Sequence, residues 1–127
     1  MHTYEQSLHD TINCLKYLKD DGYIILHDCN PKSAESGSPE IPKEAINWNG
    51  DVWKTIYHLR KYENHFNCYT LDFDEGIGVI QLKNQNYFEI FDKIIVDPKI
   101  QNLTFNDLES NRQFLIGLQS FEPGNNN

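Results

Sequence analysis

The chain has 127 residues, 39% hydrophobic and 13% aromatic, with 19 acidic side chains against 11 basic ones and a formal charge of -8. This describes one domain around one core, residues 1–127, because two domains of half that length would each need disulfides or metals. The negative charge excludes phosphate backbones and anionic lipid, so no nucleic acid and no membrane are expected as partners, and no apolar run approaches the ~20 residues of a membrane span.

In chain order, the first element is a helix. Thr3 and Gln6 stand at capping-box spacing, Leu8, Ile12, Leu15 and Leu18 recur at helical spacing, and Gly22 fits the stop. Tyr23-Ile24-Ile25-Leu26-His27 follows without alternation, which predicts a strand buried on both faces in a parallel α/β sheet. Residues 31 to 47 form a loop, set by Pro31, Pro39, Pro42 and the serines between them. Val52, Ile56 and Leu59, with Trp53 and Tyr57, predict a second helix ending near Tyr62 and capped by Asp51 or Asn49.

Phe66–Leu71 and Gly78–Leu82 read as a hairpin joined by Asp72–Gly76. Tyr87–Val96 is a short helix, and a third long helix runs from about Thr104 or Asn106 to Leu118 on Leu108, Phe114, Leu115 and Leu118. Phe121–Asn127 is a frayed tail. The fold class is α/β: one strand of parallel type plus a C-terminal antiparallel hairpin, flanked by helices. Cys14, Cys29 and Cys68 are odd in number and contain no Cys-x-x-Cys pair, which argues against zinc and disulfides and for reduced thiols in a cytoplasm.

Three words stand in a familiar order: Gly22-Tyr23-Ile24-Ile25-Leu26-His27-Asp28-Cys29-Asn30-Pro31, then Trp48-Asn49-Gly50-Asp51-Val52-Trp53-Lys54, then Asp74-Glu75-Gly76-Ile77-Gly78-Val79-Ile80. With His2-Thr3-Tyr4-Glu5 they resemble the C-terminal half of class I S-adenosylmethionine-dependent methyltransferases, in the bacterial branch acting on sugars and other small molecules. The resemblance covers residues 2 to 82. It implies a partial Rossmann-like sheet whose last pair is a reversed hairpin, and a chain that shapes the side of the site facing a small-molecule acceptor. The family's cofactor-binding glycine loop and its acidic residue fall upstream of the matching region, which implies a chain inactive by itself. Gly76-x-Gly78 sits in a hairpin and reads as turn chemistry, not as a substitute for that loop.

The resemblance also assigns roles. Asp28 lies just past the strand, where open α/β sheets place their ligands. In the branch resembling catechol O-methyltransferase an Asp there helps hold Mg²⁺, while Cys29 here replaces that branch's Asn ligand and Asn30 follows one position later. Asp28 therefore reads either as a metal ligand or as a loop cap. His2 stands where the family carries a base for the acceptor hydroxyl, work suited to imidazole. Asn30, Trp48 and Asn49 are expected against the acceptor, and Trp53 anchors its helix. The rival expectation is a non-catalytic binding module that pairs through the open edge of Tyr23–His27, and that edge predicts a homodimer.

Overall fold

A computed structural model describes residues 2–19, 22–41, 48–83 and 88–120. Helix α1 spans Tyr4–Leu15, and Thr3 caps it by accepting the Gln6 N–H at 3.2 Å. The Gln6 side chain donates to Asp10 at 3.0 Å instead of returning to the cap, so only half of the expected box forms. The helix stops at Leu15, a turn before Leu18. Gly22 is not a left-handed stop; a Cβ there would come 2.7 Å from Leu18 Cδ1, so the glycine makes room for that leucine.

Strand β1 spans Tyr23–Leu26, β2 Phe66–Asp72 and β3 Ile77–Leu82. The hairpin β2–β3 forms within a residue of its expected bounds, from Phe66↔Leu82 to Leu71↔Ile77. The parallel, central placement of β1 is corrected. It pairs antiparallel with β3, from Tyr23↔Gln81 to Leu26↔Gly78, and lies at one end of a sheet ordered β1-β3-β2-β4. Its apolar run is accordingly not buried on both faces: Tyr23 is 58% exposed and Ile25 43%, while Leu26 is buried.

Helix α2 spans Trp53–Arg60 and lies between the sheet and the remaining helices. Neither expected cap holds it: its first flanking residue is Val52, with no side-chain bond. Trp53, Ile56 and Leu59 enter the core, but Lys54, Thr55 and His58 are buried as well, because α1 covers the polar side. Across that seam Ser7 and Thr55 share a hydrogen bond at 2.6 Å, and Tyr4 Oη lies 2.8 Å from His58 Nδ1. Buried polar groups need such partners.

The C-terminal third departs furthest from expectation. Short helices α3 (Phe88–Phe91), α4 (Pro98–Gln101), α5 (Phe105–Ser110) and α6 (Arg112–Ile116) replace one short and one long helix. Thr104 and Asp107 form a full capping box on α5. Asn111 (φ -160°) then breaks the run and caps α6 by accepting the Phe114 N–H at 3.2 Å. Phe114, expected in the core, is 67% exposed. Gly117 (φ 61°) ends α6 and starts β4 (Leu118–Ser120), which pairs parallel with β2 at Thr70↔Leu118. The result is an α/β fold with a mixed sheet flanked by helices. The expected tail, Phe121–Asn127, lies outside the described residues, as does Tyr87 at the start of the expected short helix.

Candidate functional site

Four residues singled out from the sequence meet beyond the carboxyl end of β1. Asp28 has φ 63°, in the left-handed region that Asp tolerates better than most side chains. Its Oδ2 lies 3.3 Å from His2 Nε2, and its Oδ1 accepts from Asn49 Nδ2 at 3.1 Å. The indole of Trp48 stacks on the His2 ring, with centroids 4.9 Å apart and planes 29° from parallel. Trp48 Nε1 donates to the Ser38 carbonyl at 2.8 Å, and the Ser36 carbonyl accepts from both Asn49 and Gly50 N–H. The described part of the 31–47 loop is thus a folded support for the site. Residues 42–47 lie outside the described residues.

The arrangement has a defined chemistry. A neutral His2 whose proton sits on Nε2 would donate to Asp28 and keep the lone pair on Nδ1. The second carboxylate oxygen is fixed by the Asn49 amide, so Asp28 is held from two sides. Asn49 is buried while His2 is half-exposed, so the imidazole sits at the surface with Asn49 beneath it.

His2 and Asp28 stand at one end of a groove of about 360 Å³ between α1 and β1. Ile24, Ile25, Leu26 and Val52 give it apolar walls, and Thr11 and Cys14 close it from α1. The C-terminal helices leave this groove open: α4 and α6 pack on α2, and β4 lies at the opposite end of the sheet.

Asn30 is not part of the cluster. Its Oδ1 accepts from Arg112 Nη1 and its Nδ2 donates to Asp72 at 3.4 Å, which ties the chain after β1 to the hairpin and α6. This bears on the metal. Asp28 offers a single carboxylate already bonded to two nitrogens, and among the described residues no group of three or more His, Cys, Asp or Glu is placed to hold an ion. Mg²⁺ binds carboxylate oxygens, and both Asp28 oxygens already face nitrogen partners, His2 Nε2 and Asn49 Nδ2. Gly76 (φ 94°) faces Asn30, and a Cβ there would strike that residue, so this glycine serves the turn of the hairpin. The Cys29 thiol is fully buried and burial pushes its pKa well up, so it is not a nucleophile beside His27.

The sequence reading missed three residues under the site. Asp51 bonds the His2 carbonyl, Gly50 leaves room for that carbonyl, and Lys54 pairs with Asp51. An Asn-Gly-Asp turn ahead of a helix looks like a cap, and only the fold shows that it serves the other helix.

Compared with known proteins, the chain matches no protein-family model, no curated protein and no solved structure.

Proposed function

We propose that this chain forms the acceptor side of an S-adenosylmethionine-dependent methyl-transfer site for a small hydroxylated molecule. The observation that carries the reading is the meeting of His2, Asp28, Trp48 and Asn49 at the end of β1. A sheet in which β1 is flanked by a reversed hairpin is compatible with the terminal part of a Rossmann-like fold and supports the same reading.

In this reading the acceptor lays its apolar body along Ile24, Leu26 and Val52 and brings its hydroxyl to His2. The groove volume of about 360 Å³ falls at the small end of ligand sites. His2 Nδ1 takes the hydroxyl proton, and Asp28 stabilises the imidazolium and fixes which nitrogen is free. Asn49 keeps Asp28 aimed. Cofactor binding in this reading falls to residues other than those described. The compartment in this reading is the cytoplasm, in keeping with three unpaired cysteines.

A second reading has its own observation. β1 has a strand neighbour on one side only among the described residues, and Tyr23 and Ile25 are exposed along it. Such an edge is a template for another strand, so a non-catalytic module that pairs two copies through β1 is the rival.

NMR of the labelled chain titrated with small phenols and sugars tests the first reading. Resonances of His2, Asp28 and the Trp48 indole should move together. Movement confined to the separate groove between α1 and residues 91–96, or none at all, contradicts it.

A further inference from the structure

Beneath His2 lies the turn Gly50–Asp51, whose sequence suggests a cap for α2 and not a contact to His2. The Asp51 N–H donates to the His2 carbonyl at 3.1 Å, and Asp51 Oδ1 accepts from the Tyr4 N–H at 2.7 Å. One residue therefore clasps the chain on both sides of Thr3, with its own backbone and its own side chain. Gly50, at φ 64°, makes the clasp sterically feasible, since a Cβ at that position would run into the His2 carbonyl.

The clasp is itself anchored. Asp51 and Lys54 are both buried, with Lys54 Nζ 3.2 Å from Asp51 Oδ2. Lys54 Nζ also donates to the Gln101 carbonyl at 2.7 Å, at the end of α4. A buried ion pair is weak evidence for stability, because desolvation offsets most of its attraction. Fixing one geometry is the better account of it. Here the geometry fixed is that of the half-exposed His2.

We infer that the Gly50–Asp51 turn, held by Lys54, is the positioning element that sets the His2 imidazole against Asp28 and Trp48. These are positioning residues and touch no acceptor. The functional consequence rests on the reading of His2 as proton acceptor; the geometric claim does not.

The test reads position directly. In the native protein the stacked Trp48 indole should shift the His2 ring protons upfield by its ring current, and Trp48→Leu should abolish that shift. Asp51→Ala, which removes the acceptor for Tyr4 N–H, should also lose it, and Asp51→Asn, which keeps an oxygen in place, should restore most of it. If Asp51→Ala fails to fold, Gly50→Ala asks the same question, because its new methyl group displaces the His2 carbonyl and should cost the shift while core methyl resonances stay put. An unchanged His2 shift in a folded Asp51→Ala or Gly50→Ala protein overturns the inference. If the shift follows the turn but no acceptor ever binds, the inference stands and the methyl-transfer reading falls.

Discussion

At the scale of single residues, burial decides which groups can react. Cys29 and Cys68 are buried, and burial pushes the Cys68 thiol up to about 12 and Cys29 in the same direction. Cys14 is exposed. Cys14 alone should therefore react with a thiol reagent in the native protein, and all the cysteines after denaturation, as counted by mass spectrometry. Labelling of Cys29 or Cys68 at the rate of Cys14 would contradict that burial. The seam between α1 and α2 gives a second expectation. Tyr4 Oη accepts the Asp97 N–H at 2.9 Å, so its proton goes to His58 Nδ1. Tyr4→Phe leaves that nitrogen buried without a donor and should cost about 1–3 kcal/mol in urea unfolding. Burial is also the main cause that lowers the pKa of His58, so the unfolded chain takes up a proton before the folded one does. The resulting stability is full above the ordinary imidazole value of about 6.5 and is lost as pH falls below it. The loss should shrink in His58→Gln, and an equal pH dependence in both proteins would show that His58 does not carry it.

At the scale of elements, what could be read depended on whether a signal was local. The Thr3 cap and the hairpin were legible because capping spacing and two short β-rich runs around a turn are properties of neighbouring residues. Partition between α5 and α6 was not, since the apolar spacing of Leu108, Leu115 and Leu118 continues straight through Asn111. β1 misled for a different reason. Its run of Ile24, Ile25 and Leu26 is that of a strand covered on both faces, yet Tyr23 and Ile25 are exposed; its open edge among the described residues, by contrast, was expected. An apolar edge strand is a template for pairing with another chain. As the second reading has it, two copies cover each other, and sedimentation at micromolar concentration should report twice the 14.9 kDa of one chain. Ile25→Lys, a charge on the edge, should return it to one chain's mass. A native protein that already sediments as a single chain would exclude self-pairing through β1.

At the scale of the whole molecule, the site is assembled by distance in sequence. His2, Asp28 and the Trp48–Asp51 turn come from three separate stretches; His2 and Asp28 line the groove, while Trp48, Asn49 and Asp51 touch those two residues and do not line it. His2, Asp28, Trp48 and Asn49 could be named in advance because they sit in words that resemble a family, whereas their mutual distances could not. Asn30 shows the limit of that route: it occupies a matching word, yet Arg112, 82 residues away, draws its side chain to the other side. Gly50, Asp51 and Lys54 stood in a matching word, and Asp51 was expected as a cap of α2, but their roles were not legible, since the partners are backbone groups of His2, Tyr4 and Gln101 that no spacing encodes. The central claim is that His2 and Asp28 act together on an acceptor hydroxyl. The most direct measurement is labelled-methyl transfer to a small hydroxylated acceptor by a fusion that places an S-adenosylmethionine-binding segment ahead of His2. Asp28→Asn and His2→Ala should each lower the rate by about 100-fold, and the double variant by little more than either alone, because the two act as a unit. Rates within a factor of about two of the parent for both single variants would contradict the account, leaving Asp28 as a loop cap and His2 as a surface histidine.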